Sequence, residues 1–237
     1  MRSSRGWYPV SLSGGLDAGR SAGTRLFDKE FVIWRDADGA AHVWEDRCPH
    51  RGMRLSFGFV RGNHIACIYH GWQYDSNGHC QFIPSHPALS VPSSIRVATH
   101  PCVERLGIVW MYSDSNVTTP PELALDTGEV TSVRSLYIDR APATVLDYLE
   151  PRSENVGADA VTLLSLDAEG QRLLVAVQPF GVEKTALHIV LPTKPNAHQA
   201  EARRAAALWA EDLRRHLEEE TILTSEPTAP ATYEAAP

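Results

Sequence analysis

Residues 48–73, CPHRGMRLSFGFVRGNHIACIYHGWQ, constrain this chain more than any other stretch. Cys48-Pro49-His50 opens it and Cys67-Ile68-Tyr69-His70-Gly71-Trp72 closes it, each offering one thiolate and one imidazole. Such a set can hold a two-iron, two-sulfur centre, with both Cys on one iron and both His on the other. Neutral imidazoles in place of two thiolates leave the centre less negative and raise its reduction potential. Cys-x-His is too tight for two turns of one helix and fits an extended loop tip, stiffened by Pro49. Gly71 permits a close backbone approach or a positive φ beside the second pair. Loop tips also leave N–H groups free to point at sulfur, which helps set the potential.

Two Cys and two His also make a zinc set, so a zinc-stabilised, non-catalytic interaction module is an alternative. Zinc fingers usually place both His after both Cys. Here the order is Cys-His then Cys-His, as two irons with different ligands require.

The segment resembles the Rieske domain of the ring-hydroxylating non-haem iron oxygenases, in particular their monooxygenase and O-demethylase α subunits. Trp7-Tyr8-Pro9-Val10 is similar to the family's opening. FVIWRDADGAAHVWEDRCPHRG, YHGWQYDSNGHCQFIPS and VERLGIVWMY follow in the family's order. The resemblance covers residues 6–113. It implies a Rieske [2Fe-2S] cofactor, with Cys48 and Cys67 on a buried iron and His50 and His70 on an outer one. Respiratory and photosynthetic Rieske proteins carry an extra Cys in each loop, joined as a disulfide. Met53 and Tyr69 stand there, so this staple is impossible and the likeness is to the lower-potential oxygenase type.

No apolar run reaches the roughly 18 residues that span a bilayer, and MRSSRGWYPV lacks a secretory core. Cys80 and Cys102 read as buried apolar fillers rather than a disulfide, and the protein reads as cytoplasmic. The net charge of −7 is uneven. Residues 1–115 hold 12 Lys and Arg against 10 Asp and Glu, and the remainder 10 against 19. That balance argues against a nucleic-acid partner, and nothing points to a membrane.

The expected fold class is α+β, mostly β. An all-β Rieske domain with its iron–sulfur insert occupies residues 1–115. Phe31–Trp34 and His42–Trp44 flank an Asp38-Gly39 hairpin turn. His42, His64, His79, His86 and His100 read as surface or strand residues, and Trp72 as packing on the second loop. A linker is expected over 113–125, with its Pro-Pro pair. Residues 116–220 then read as a reduced α+β domain: VRSLYI, AVTLLSL, RLLVAVQPF and TALHIVLP as an antiparallel sheet, and 197–220 as a helix with Trp209, Leu213 and Leu217 on one face. This is similar to a remnant of the family's helix-grip catalytic domain. Residues 221–237 read as a disordered tail.

The resemblance also implies a mononuclear Fe(II) held by two His and a carboxylate. The stretch that best matches the family's Asn-x2-Asp-x2-His-x4-His run is residues 144–155. Aligned on Asp147, its Asn falls on Thr144 and its two His on Glu150 and Asn155. Asp147, the family's bridge between the iron–sulfur His of one subunit and the iron of the next, remains; the imidazoles do not. Pro151 interrupts a helix there. Of His188, His198 and His216, His188 reads as a core residue and His216 as solvated. The expectation is an electron-carrying subunit without its own iron, fed by an NAD(P)H-dependent reductase or ferredoxin. It would serve an iron-bearing oxygenase subunit within a trimer-type or hetero-oligomeric assembly. A self-contained oxygenase with an unorthodox iron site of Asp147, Glu150, Glu154 and His188 is the other reading.

Overall fold

The computed structural model describes residues 5–114, 129–157, 162–168, 170–193 and 199–224. The first part is built from short strands: β1 (Trp7–Leu12), β2 (Ser21–Leu26), β3 (Lys29–Arg35), β4 (Ala41–Glu45), β5 (Phe59–Arg61), β6 (His64–Ala66), β7 (Gln73–Asp75), β8 (Cys80–Phe82), β9 (Thr99–His100), β10 (Cys102–Arg105) and β11 (Ile108–Tyr112). They pair antiparallel as three sheets, β1-β11-β10, β2-β3-β4-β9 and β5-β6-β7-β8. The expected hairpin is β3–β4, with Gly39 at φ +88° and the Asp36 carboxylate accepting the Ala40 N–H.

The run Phe-Val-Ile-Trp is apolar at every position because β3 is buried on both faces. Phe31 and Ile33 pack with Tyr8, Val10 and Met111 against the β1 sheet. Val32 and Trp34 turn the other way, onto Ile65, Tyr74, Cys48 and Cys67. The same logic governs β11, where Val109 and Met111 face β3 and Ile108 and Trp110 face the second half of the chain. Burying alternate residues in two different cores holds the sheets in a stack, with the loops carrying Cys48 and Cys67 at one end.

The second half forms β12 (Thr131–Ile138), α1 (Pro142–Leu149), β13 (Ser153–Asn155), β14 (Leu163–Ala168), β15 (Gln171–Gly181), β16 (Lys184–Leu191) and α2 (Gln199–Thr224). Its sheet is antiparallel, in the order β12-β16-β15-β14-β13. One face, with Leu174, Ala176 and Val190, meets Trp7, Ile108 and Trp110. The opposite face, with Leu173, Val175, Leu187 and Ile189, is covered by Val145 and Leu149 of α1 and by Ala206, Ala210, Leu213 and Leu217 of α2. Trp209 packs on its edge, so the i, i+4, i+8 stripe holds. The helix runs to Thr224, four residues into the expected tail. The expected linker lies outside the described residues beyond Asp114, as do His198 and residues 225–237.

Cys80 is buried and Cys102 is half-buried; both are free thiols in separate cores. Burial pushes the Cys102 thiol up to about 11. Among the described residues no helix is long and apolar enough to cross a membrane.

Candidate iron–sulfur site

The two donor loops close in the same way. Cys48 N–H donates to Met53 C=O at 2.8 Å and Cys67 N–H to Trp72 C=O at 2.9 Å. Gly52 N–H donates back to Cys48 C=O at 2.8 Å and Gly71 N–H to Cys67 C=O at 2.9 Å. Each loop therefore has a glycine four residues after its cysteine, at φ +73° and +70°, conformations that L side chains rarely adopt. Sequence reasoning used Gly71 and missed its twin; the equal Cys-to-Gly spacing was the available signal. Pro84, from the segment after β8, sits over Gly71, where a Cβ would lie 3.0 Å from its Cγ.

The four donors sort by depth. Cys48 and Cys67 are 2% and 3% exposed, against Tyr74, Ile65 and Leu55. Burial, with Cys48 alongside, raises the Cys67 thiol pKa. His50 is half-buried and His70 exposed. Their rings meet edge-on at 4.6 Å between centroids. Trp72 stacks on His50 at 4.3 Å with only 5° between planes, as the packing reading of Trp72 requires. Tyr69 stacks on His70 at 3.8 Å. Desolvation, then His70 beside it, holds the His50 pKa below its usual value.

Two observations test whether this donor set fits an iron–sulfur centre. His50 Nδ1 is buried and has no hydrogen-bond partner among the described residues. Polar atoms of that kind are rare and call for a ligand. Among the described residues no three His, Cys, Asp or Glu converge on one point that could hold a single ion. Zinc needs such convergence; two inner thiols and two outer imidazoles suit two irons. The residues present fit the group.

Tyr74 was not singled out in the sequence. It is fully buried on β7 and its hydroxyl lies 3.1 Å from Cys48 Sγ. Burial, then the Cys48 thiol, raises its pKa, so it stays a donor.

The second metal site fares differently. The helix carrying Asp147 ends at Leu149, a 3-10 turn holds Pro151, and β13 begins at Ser153. The aligned Glu150 and Asn155 are therefore not on a common helix. Asp147, Glu150 and Glu154 are exposed. His188 is 1% exposed and lies on β16 facing the other way, toward β1 and β2. Its Nδ1 is 2.8 Å from Ser135 Oγ and its Nε2 2.8 Å from Gln178 Oε1. Gln178 in turn donates to Thr24 Oγ1 at 3.0 Å and Arg25 C=O at 2.6 Å. The five-stranded sheet separates His188 from Asp147, so the unorthodox iron site is not assembled. His188 is the satisfied core residue expected. His216 is exposed and helps line a cavity of about 280 Å³ between α1, β14 and α2, with Tyr148, Arg152, Leu166 and Trp209.

Residues 6–101 match the Rieske [2Fe-2S] domain, so the fold and the paired thiols and imidazoles belong to a Rieske iron–sulfur protein. The oxidoreductase NdmD of Pseudomonas putida is 36% identical over 181 residues, covering 74% of this chain and 30% of NdmD. The methylxanthine N1-demethylase NdmA of the same organism is 35% identical over 115 residues, covering 46% of this chain and 32% of NdmA. The sequence alignments thus span about a third of the length of either relative. Dicamba monooxygenase bound to dicamba shares the fold, with a TM-score of 0.72 at 18% identity, over 92% of this chain and 85% of that one. The chain carries a Rieske [2Fe-2S] domain over residues 6–101 and is similar in sequence to an oxidoreductase and a demethylase.

Proposed function

We propose that this chain is an electron-carrying component of a Rieske oxygenase system. It accepts one electron from an NAD(P)H-dependent reductase or a ferredoxin and passes it to a partner subunit that holds iron and substrate. The observation that carries this reading is where the imidazoles stand. Two are at the exposed loop tip, and none is on α1 beside Asp147. The extent of similarity agrees. The sequence alignment with NdmD, named an oxidoreductase, runs beyond the Rieske domain.

Cys48, His50, Cys67 and His70 would hold the centre. When bound, the [2Fe-2S] group supplies a single-electron couple at a potential raised by its two imidazoles. The chain's own residues do the rest. Cys48 and Cys67 anchor the inner side in the β3–β7 core, and Tyr74 donates a hydrogen bond to Cys48 Sγ. Trp72 and Pro84 shield the loops from water. His50 and His70 form the side open to partners. The first unit, residues 1–115, is the electron carrier, and residues 116–220 serve as its structural platform. Asp147 is exposed on α1, on the sheet face turned away from the loops, so only another chain's His70 could reach it.

Iron and sulfide quantification on the purified protein tests the assignment. About two irons per chain are expected from the single Rieske centre. The cavity between α1 and α2 favours the second reading, a self-contained oxygenase, and a reproducible third iron would establish it.

A further inference from the structure

We propose that a cleft between the two halves of the chain binds a small aromatic acid, its carboxylate between Arg25 and Arg54 and its ring against Phe57 and Phe180. This site is independent of the electron-carrier reading.

The cleft has a volume of about 280 Å³ and is walled by β2, the 3-10 turn Leu55–Phe57 and the end of β15. Neither the donor loops nor the cavity between α1 and α2 contributes a residue to it. Its size is just below that of drug-sized sites and suits a molecule of one or two rings.

Charge is its first feature. Arg25 and Arg54, from different elements, approach the same oxygen, Glu30 Oε1. Each uses only Nη2, so Nε and Nη1 of both are without a partner among the described residues. The Arg25 contact is long, 3.3 Å, against about 2.7–2.9 Å for a well-made charge-assisted bond. A guanidinium matches a carboxylate best through two parallel N–H groups, a geometry that neither makes with Glu30. Glu30 therefore stands where an external carboxylate would sit, and its side chain, 35% exposed, can swing into solvent. The other acid in the wall, Asp46, is committed elsewhere. Ser56 N–H and Ser56 Oγ donate to its two oxygens at 2.7 and 2.6 Å. With Glu30 displaced, the incoming acid and Asp46 balance the two guanidiniums.

Aromatic surface is the second feature. Arg25 lies over the Phe180 ring at 6.0 Å and Arg54 over the Phe57 ring at 5.9 Å. Each cation therefore comes with a ring. Phe57 is 58% exposed, and Phe180 is braced edge-on by Tyr137 at 5.1 Å. Such a pair of faces takes a ligand ring while the guanidiniums take its acid. Gly23 is the third feature. It sits inside β2 and lines the same cleft, where an added Cβ would lie 3.3 Å from Ser56 Oγ. Glycine inside a strand gives up side-chain packing and is found where another group must come close. Here it keeps the floor of the cleft open.

Isothermal titration calorimetry of the full chain, as purified, with 2-naphthoate tests the site. One equivalent should bind with a Kd below about 1 mM. The neutral isostere 2-naphthamide should bind at least roughly tenfold more weakly. Glu30→Gln removes a competitor tethered at an effective concentration on the order of millimolar, and should tighten 2-naphthoate binding about tenfold. Arg25→Gln/Arg54→Gln should weaken it at least roughly tenfold. Arg152→Gln, in the cavity between α1 and α2, should leave it unchanged. No saturable heat, equal affinity for the amide, unchanged or weaker binding to Glu30→Gln, or full affinity in the double variant would overturn the site. So would loss of binding in Arg152→Gln, which would place the acid in the other cavity. Should the double variant fail to fold, the amide and Glu30→Gln decide.

Discussion

Replacing Tyr74 by Phe deletes one buried hydroxyl and keeps the ring that fills the space between β7 and the Cys48 loop. With Cys48 as a thiolate ligand, that hydroxyl donates to sulfur, and its raised pKa keeps it protonated throughout the working range. A hydrogen bond to a charged group contributes about 1.5–3 kcal/mol. Only its strengthening in the reduced, more negative state moves the potential, and about 1 kcal/mol of that total is a reasonable share. One electron converts roughly 1.4 kcal/mol to 59 mV. Tyr74→Phe should therefore lower the potential by about 40 mV. An EPR-monitored redox titration at pH 7 measures it, with the visible spectrum confirming that the centre is loaded. A potential that rises, or moves by less than about 10 mV in a loaded variant, would show that the hydroxyl does not donate to a ligand sulfur.

His70→Cys should keep a centre but lower its potential, because a thiolate replaces a neutral imidazole; an unchanged potential in the same titration would remove His70 from the ligand set. Gly71→Ala should cost more stability than Gly62→Ala, by differential scanning calorimetry. Both sit at positive φ, a strain of about 1–2 kcal/mol, but only at Gly71 does the new methyl also meet Pro84, whereas nothing lies within 4 Å of Gly62. His188 is neutral in the fold, burial having pushed it down to about 3. The unfolded chain therefore binds one more proton between that value and about 6.5, so stability falls as pH drops through this window. His188→Gln should remove up to about 1.4 kcal/mol per pH unit of that slope in urea titrations at several pH values; an unaltered slope would mean His188 is already charged. Asp147→Asn should leave the visible spectrum intact, since Asp147 lies on α1, on the far face of the five-stranded sheet; loss of the spectrum would place it at the site instead.

The local code was legible from the chain alone. The spacing of Cys48, His50, Cys67 and His70 specified two loop tips, because backbone reach and side-chain chemistry are local properties. The unbroken apolar run of β3 and the i, i+4 stripe of α2 were equally readable, since burial leaves a periodic trace. What the chain could not express was which distant surfaces meet. Tyr74 became a partner of Cys48 only when β7 packed across the core. Asp147 and His188 were parted only by the sheet that came to lie between them. Those outcomes depend on contacts between residues far apart in sequence, formed by burial that no single segment can accomplish.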